Sequence, residues 1–354
     1  MGKLQTRLDN LDYLRGLSAV CIMLYHYSTW SIGELSARSF LGRAGIYGVS
    51  IFYVLSGLTL TYVYQNRLEN HPEAIVDFFR KRFFRIYPLL WLATIVSILI
   101  SKKTANPSDV LLNLSGLFGF VKWDTYFATG AWSIGNELVF YSLFPVLILV
   151  FRKKNSSAAL LLLLIAAGHL LFAYSIMHSF EPLSVQWRVY ANPLNQLLYF
   201  AGGIMLCLFF SGRDFSSRTA ISLALSGFAI LVLLPSQPAA IDIVTGWQRV
   251  IFTIGCFLLC LGFFKLRYVF PSLIHRPLTW LGRASYSVYL LHPIVFSVTK
   301  AAMKVVAKHS LPIPIWFVMA TSIAATLCLS YLVYQYFELY FIRLGHRPAI
   351  KRSS

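Results

Sequence analysis

The chain of 354 residues is 57% hydrophobic and only 12% charged, whereas soluble domains carry about a quarter charged residues. This composition excludes an ordinary soluble fold. The net charge of +18 does not indicate nucleic-acid binding either, because the basic residues punctuate apolar runs instead of clustering in a soluble domain. The alternation typical of a transmembrane β-barrel is also missing from the sequence. The sequence therefore predicts an all-α, polytopic transmembrane helical bundle.

Long apolar runs predict ten transmembrane helices. No internal repeat and no linker isolates a soluble part, so residues 1–354 are expected to form a single integral membrane domain. Its transmembrane core covers about 8–342, and a short basic tail covers 343–354. The apolar segment 108–121 is too short to span and is predicted to be re-entrant or interfacial. The predicted spans are about 11–31, 44–65, 83–101, 130–151, 157–178, 192–211, 218–235, 246–265, 281–300 and 313–342.

Both termini are predicted to lie on the cytoplasmic side. Short segments on that side carry about two thirds of the 31 lysines and arginines, which fits the positive-inside rule, although Lys300, Lys304 and Lys308 oppose the trend. No cleavage site follows the first helix, so we expect this helix to be retained. The five cysteines lie in apolar segments without zinc-ligand spacing, so neither a disulfide framework nor a metal site is predicted.

The first predicted helix combines an acid–base pair with a histidine. Asp12 lies one turn before Arg15 and can pair with it, and His26 follows eleven residues later. This spacing places Arg15 and His26 on one helical stripe, about 16 Å apart along the axis. Ionisable groups inside a membrane mark functional sites by default. The alternatives are snorkelling of Arg15 to the surface and an ordinary hydrogen-bonded histidine within the bundle.

The stretch "FFRKRFFRIYP", residues 78–88, is the main basic cluster. Arg82 and Arg85 are three residues apart and share a helix face, with Lys81 beside them. One interpretation is a positive-inside anchor that needs no ligand. The other is a clamp for phosphates, which guanidinium groups bind in a bidentate manner. That second interpretation predicts a multiply phosphorylated cytoplasmic ligand.

The stretch "GAWSIGNELVFYSLFP", residues 130–145, places a carboxylate in an apolar helix. Ser133 precedes Glu137 by one turn and Tyr141 follows it by one turn, so the three share a face. An unpaired carboxylate here would be costly. The alternatives are an interfacial glutamate or a structural hydrogen bond. The functional hypothesis is that Glu137 contacts His26 across the bundle and sets its tautomer.

The late stretch "WLGRASYSVYLLHPIV", residues 280–295, contains a histidine before a proline. Gly282 and Ser285 are small enough for close helix packing, which is the simpler interpretation of this segment. His292 is a secondary candidate for the site, together with Asp12 and Tyr141.

In this order, these motifs resemble the acyltransferase 3 family of integral membrane acyltransferases, which decorate bacterial polysaccharides. The resemblance covers about residues 8–342. It rests on Leu11-Asp12-x-Leu14-Arg15-Gly16 with His26, "GVSIFYVLSG" at 48–57, Arg82-x-x-Arg85, Trp132-Ser133-x-x-x-Glu137, and Ser285-Tyr286-x-x-Tyr289-x-x-His292-Pro293.

The resemblance implies an acyltransferase of the bacterial cytoplasmic membrane. The donor it implies is a cytoplasmic acyl-CoA, commonly acetyl-CoA, used as a cosubstrate with no tightly bound cofactor; the acceptor is a sugar hydroxyl of a cell-surface or lipid-linked glycan. Members often have an acidic residue where Ser50 stands and a second glutamate where Leu138 stands. No SGNH-type esterase domain is appended, so a second acyl-handling step is expected to need another protein. The functional residues carried over are Arg15, His26, Arg82, Arg85, Ser133 and Glu137.

Together these observations give a mechanistic hypothesis. Arg82 and Arg85, helped by Arg15 and Lys81, would bind the phosphates of acyl-CoA, and His26 would act as general base on the acceptor hydroxyl. Glu137 would orient His26, and either Ser133 or a backbone N–H would face the oxyanion. One cavity should then connect the arginines with His26, and an imidazole walled off from it would count against this role. The alternatives are a multi-pass transporter or flippase, and a membrane scaffold without chemistry.

Overall fold

The structure, a computed structural model, describes residues 2–67, 72–101, 104–268, 270–309 and 313–346. Within these ranges the chain forms α-helices and two π-helical segments, and no strand. The π-helical segments, Phe172–Ile176 and Val333–Glu338, continue α7 and α15. The helices are α1 (Gly2–Ile32), α2 (Phe40–Tyr64), α3 (Pro72–Ser101), α4 (Pro107–Ser115), α5 (Phe118–Val121), α6 (Ala131–Arg152), α7 (Ser156–Leu171), α8 (Trp187–Tyr190), α9 (Pro193–Phe210), α10 (Ser217–Leu233), α11 (Ala240–Val244), α12 (Gly246–Lys265), α13 (Ser272–Arg283), α14 (Ser285–His309), α15 (Ile315–Leu332) and α16 (Leu339–His346).

Eight stretches of the described chain are long and apolar enough to cross a membrane. They correspond to eight of the ten predicted spans, and the predicted first and seventh spans are also helical, in α1 and in the 17-residue α10. The prediction of an all-α, polytopic transmembrane bundle is therefore confirmed. The eight stretches are Phe40–Tyr64, Glu73–Ser101, Ala131–Arg152, Ser156–Ile176, Trp187–Phe210, Gly246–Lys265, Ser285–Ala307 and Ile315–His346.

The short apolar segment 108–121 does not form a span. It folds into α4, with nine residues, and α5, with four. Gly116 ends α4 with a φ of +76°, a left-handed conformation that favours glycine. Just beyond it, Gly119 packs against the backbone of Gly135 on α6. These two short helices thus support the part of α6 that lies between Ser133 and Glu137.

Helices α2 and α9 approach each other closely through reciprocal glycines. A Cβ atom on Gly57 would lie 2.1 Å from the carbonyl oxygen of Phe200, and one on Gly203 would lie 2.1 Å from that of Val54. Small residues allow such approach between transmembrane helices, where packing must drive association. This contact fixes α2, whose opposite residues line the cavity described below.

A second glycine contact joins α1 to the end of α13. A Cβ atom on Gly282 would lie 2.1 Å from the carbonyl oxygen of Asp12, and one on Gly16 would lie 2.7 Å from the amide nitrogen of Gly282. The close packing predicted at Gly282 is therefore confirmed. Its consequence is that Arg283, the next residue, lies beside the acid–base pair of α1.

Two buried arginines have structural partners away from that region. Arg43 donates to backbone carbonyls at the C-terminal end of α10 at 2.7–3.2 Å and satisfies acceptors that the helix leaves free. Arg249 donates to Oδ1 of Asn195 at 2.5 Å and lies 3.2 Å from Nδ1 of His169. These buried guanidinium groups tie helices together through neutral acceptors.

Candidate active site

A cavity of about 280 Å³ lies between α1, α2, α3, α6, α13 and α14. Charged side chains and hydroxyl groups make up much of its wall. Seven of the ten residues proposed from the sequence line it, whereas His26, Lys81 and His292 do not. The seven are Asp12, Arg15, Arg82, Arg85, Ser133, Glu137 and Tyr141.

The acid–base pair of α1 forms one side of this cavity. Nη1 of Arg15 lies 3.0 Å from Oδ1 of Asp12, as the spacing of three residues predicted. The other terminal nitrogen of Arg15 donates to the hydroxyl of Thr59 at 3.4 Å. The guanidinium is thus anchored at two points and keeps its charge in the cavity wall.

Helix α3 supplies two more cations. Arg82 and Arg85 both line the cavity, as expected for residues that share a helix face. The guanidinium of Arg82 lies 6.0 Å from the centre of the Tyr141 ring, and its buried Nε has no hydrogen-bond partner among the described residues. Arg82 therefore retains an unused donor next to the cavity.

Lys81 was predicted to join this cluster, and the structure corrects that prediction. Its Nζ lies 2.5 Å from Oδ2 of Asp77, and Arg80 lies 2.7 Å from Oδ1 of the same carboxylate. The helical rotation of about 100° per residue turns Lys81 away from the face that Arg82 and Arg85 share. Its ammonium group is paired outside the cavity with a carboxylate that it shares with Arg80.

Arg283 is a fourth arginine in the cavity wall that sequence reasoning missed. Only the contact between Gly282 and α1 brings it to this position. Its position two residues before α14, the helix that carries His292, was the available signal. With four arginines and two carboxylates, Asp12 and Glu137, the lining has an excess of two positive charges when both acids are ionised.

Glu137 lies among the arginines. Its carboxylate interacts electrostatically with Arg15, Arg85 and Arg82, and it also accepts a hydrogen bond from the Tyr141 hydroxyl. The prediction that Glu137 contacts His26 is therefore wrong. The reason is its position one turn beyond Ser133 along α6, which moves it towards the cations and away from the histidine.

Hydroxyl groups form the far end of the cavity. The Ser133 hydroxyl lies 2.9 Å from the Tyr289 hydroxyl and 3.0 Å from the carbonyl oxygen of Gly130. Tyr289 donates to the same carbonyl at 3.1 Å. These bonds connect α6 with α14 and hold the Tyr289 ring in place.

The two candidate histidines contact each other. Nδ1 of His26 lies 2.8 Å from Nε2 of His292, and the two rings are within 10° of parallel with centres 5.1 Å apart, the arrangement of imidazoles joined edge to edge. Nδ1 of His292 lies 3.1 Å from the carbonyl oxygen of Val288. The ring of Trp30 lies parallel to that of His26 at 5.0 Å. His292 thus occupies the place predicted for Glu137.

An aromatic layer, formed by Phe52 and Tyr289, separates this pair from the cavity. Both residues line the cavity, and their rings lie 5.8 Å apart. Tyr289 precedes His292 by three residues, about 4.5 Å of helix rise, and its ring lies 6.1 Å from that of His292. His26 is not among the residues that line the cavity, and the Tyr289 ring lies between that lining and the His292 ring. The expectation that one cavity connects the arginines with His26 is therefore not met in this conformation.

A buried carboxylate behind the cavity also escaped sequence reasoning. Glu338 closes the π-helical segment Val333–Glu338, is 3% exposed and contacts the hydroxyl of Ser287. Its Oε2 has no hydrogen-bond partner within the described chain, and it interacts electrostatically with Arg85. Tyr334 of the same segment lines the cavity. π-helical turns often occur at functional sites, but no sequence pattern predicted this one.

Comparison with known proteins agrees with these features. The family model described as an acyltransferase domain matches residues 8–335. The chain is 23% identical to the peptidoglycan O-acetyltransferase OatA of Listeria monocytogenes, over 94% of this chain and 55% of that protein. It is 24% identical to the O-acetyltransferase OatA of Staphylococcus aureus over 81% of this chain and 50% of that protein, and to the acyltransferase MdmB of Streptomyces mycarofaciens over 57% of each. The chain thus spans about half the length of these relatives. No solved structure matches it.

Proposed function

Because the chain belongs to the acyltransferase family whose domain covers residues 8–335, we propose that it transfers an acyl group, commonly acetyl, from cytoplasmic acyl-CoA to a glycan. The acceptor would be a sugar hydroxyl of a cell-surface or lipid-linked glycan. Relatives named as O-acetyltransferases, one of them of peptidoglycan, support this acceptor class. Their bacterial origin supports a place in the bacterial cytoplasmic membrane. The distribution of lysines and arginines supports an orientation with both termini inside.

The arginine-lined cavity is the observation that carries the proposal. Coenzyme A carries phosphates at one end and its thioester at the end of a long, flexible arm. Four arginines with an excess of positive charge suit the phosphates. The far end of the same cavity, at Ser133 and Tyr289, would receive the thioester. The Ser133 hydroxyl is then in position to donate to the oxyanion as it develops.

His26 is proposed as the general base. Its Nε2 would take the proton from the acceptor hydroxyl while the hydroxyl oxygen attacks the thioester carbonyl carbon. The carbon–sulfur bond then breaks, and the departing thiolate takes the proton from the imidazolium. A positioned base contributes about 10²–10⁴-fold to such a step. Since Phe52 and Tyr289 lie between the cavity and the histidines, this role requires the aromatic layer to move when the donor binds.

Glu137 receives a different role from the one that the sequence suggested. Before the donor binds, its carboxylate would offset the repulsion among Arg15, Arg82 and Arg85. Donor phosphates would then compete with Glu137 for the same guanidinium groups. This arrangement favours release of the spent coenzyme as well as its capture.

Inside-out membrane vesicles test the proposal, because they present the cytoplasmic face to added donor and enclose the acceptor. With acetyl-CoA labelled in the acetyl group, the protein is expected to attach label to vesicle glycan and to release free thiol. His26→Ala should abolish both while CoA binding persists. The control is His178→Ala, since His178 lies in an exposed loop between α7 and α8.

Three results would overturn parts of this proposal. Normal turnover by His26→Ala would remove the general base. Loss of turnover in His178→Ala would show that the assay reports only general damage. Entry of intact acetyl-CoA into the vesicles without labelled glycan would favour the transporter.

A further inference from the structure

For the catalytic step, which rests on the function proposed above, we propose that His292 is the positioning residue of His26. The carbonyl oxygen of Val288 and the two imidazoles form a chain of two hydrogen bonds. This chain selects one tautomer of each ring and leaves the lone pair of His26 on Nε2.

The chain begins at a group that can only accept. A backbone carbonyl has no proton to donate, so the 3.1 Å contact with Val288 requires a proton on Nδ1 of His292. The following residue, Pro293, reinforces this arrangement. Proline has no N–H to donate to the carbonyl four residues earlier, so the carbonyl of Tyr289 lacks its helical donor. This carbonyl is a second backbone acceptor for the His292 ring. The histidine–proline sequence therefore offers the His292 ring two backbone acceptors, the carbonyls of the successive residues Val288 and Tyr289 one turn earlier.

The second step follows from the chemistry of a neutral imidazole, which has one donor and one acceptor nitrogen. With Nδ1 protonated, Nε2 of His292 is an acceptor. Nδ1 of His26, 2.8 Å away, must then donate to it. Nε2 of His26 is left as the unprotonated nitrogen, and within the described residues the hydrogen bond of this ring is made through Nδ1.

Burial and packing favour a single combination of tautomers for His26 and His292. His292 is 0% exposed, so water cannot compete for either of its nitrogens. His26 is half-buried, and the parallel Trp30 ring restricts its rotation. The opposite tautomer of His26 would place a proton on Nε2 and leave two lone pairs facing each other across 2.8 Å. That arrangement is repulsive and also lacks a base.

A neutral partner suits this location. When Nε2 of His26 takes a proton, its Nδ1–H bond to His292 becomes charge-assisted and stronger. A carboxylate would also stabilise the imidazolium, but it would leave one uncompensated charge buried inside the membrane when the ring is neutral. The pair of neutral histidines buries no charge in the resting site.

Nitrogen NMR of the full-length protein in nanodiscs tests the tautomers directly. The protein is labelled with ¹⁵N-histidine, and the His26 signals are identified by their loss in His26→Gln. The expected result is a protonated Nδ1 and an unprotonated Nε2 in His26 at neutral pH. A protonated Nε2 with a bare Nδ1 would overturn the proposal. This result does not depend on turnover, so it separates a failure of the proposed tautomer from a failure of the proposed activity.

Kinetics test the consequence for catalysis. His292→Leu removes the acceptor and is expected to lower kcat by about 10²-fold or more, with the KM for acyl-CoA unchanged, because loss of an orienting group misplaces the base. His292→Gln places an amide oxygen near the lost nitrogen and should restore kcat to within about tenfold of the wild type. Wild-type kcat in His292→Leu, or no recovery in a folded His292→Gln protein, would contradict the role.

Tyr27 provides the matched control. Its hydroxyl lies 2.6 Å from that of Thr326 and donates to the backbone carbonyl of His292 at 2.9 Å, but it does not touch the imidazole nitrogens. Tyr27→Phe removes both of these neutral hydrogen bonds, so it should lower thermal stability while kcat stays within about threefold of the wild type. An equal fall of kcat in Tyr27→Phe and His292→Leu would show that only packing of α14 matters.

Discussion

Replacing Arg85 with glutamine is expected to weaken CoA binding by about 10- to 150-fold. A hydrogen bond to a charged group contributes about 1.5–3 kcal/mol, and each 1.4 kcal/mol corresponds to about tenfold in affinity. Arg85 lines the cavity, so its charge is available to a bound phosphate. Lys81 lies on the same helix but is paired with Asp77 at 2.5 Å outside that lining. The matched variant Lys81→Gln should therefore change the affinity by less than about fivefold.

Calorimetric titration of the protein in nanodiscs distinguishes these expectations with a series of shortened ligands. CoA carries the 3′-phosphate and the diphosphate, dephospho-CoA carries the diphosphate alone, and pantetheine carries no phosphate. If Arg85 binds a phosphate, the deficit of Arg85→Gln relative to the wild type must disappear with pantetheine. A deficit that is equal for all three ligands would refute the phosphate clamp, and an equal deficit in Lys81→Gln would refute the assignment of the cavity.

Four further variants extend these expectations. Arg283→Gln should weaken CoA binding by a similar factor in the same titration, and an unchanged affinity would remove this arginine from the site. Glu137→Gln should tighten CoA binding by about two- to fivefold, because a competing charge is lost; weaker binding would contradict its position among the cations. Tyr289→Phe removes hydrogen bonds of about 0.5–1.5 kcal/mol each that hold the aromatic layer, so thiol release should accelerate, and a slower reaction would argue against the layer as a barrier. Gly57→Ala would place a methyl group 2.1 Å from a carbonyl of α9 and should cost about 1–3 kcal/mol of stability; an unchanged unfolding temperature in detergent would contradict that contact.

The sequence predicts the spans well because hydropathy is a local property. The predicted span 246–265 coincides with α12, and the predicted span 192–211 differs from α9 by one residue at each end. The boundaries of the span predicted at 281–300 are less accurate, because the structure has the end of α13 up to Arg283 and then α14 from Ser285. That boundary depends on the contact of Gly282 with α1, which joins distant parts of the chain and leaves no periodic signal.

The candidate site is likewise predictable where it depends on local spacing, and it is not predictable where it depends on contacts between distant residues. Arg82 and Arg85 share a cavity because a spacing of three residues places them on one helix face, and the pair of Asp12 and Arg15 follows the same rule. The partner of His26 could not be predicted in this way. Its contact with His292 spans 266 positions, and its choice over Glu137 depends on how the helices are rotated and packed. The position of Phe52 at the cavity could not be predicted either, because an aromatic residue in an apolar helix usually belongs to the hydrophobic core.

The aromatic layer also bears on the energy supply of the cell. An enzyme that takes its donor on one face of a membrane and serves an acceptor on the other must avoid becoming a leak for ions. Each elementary charge that crosses 100 mV dissipates about 2.3 kcal/mol. Phe52 and Tyr289 border the arginine-lined cavity, so under the proposed function their rings would limit the passage of ions while the donor and the acceptor react from opposite faces.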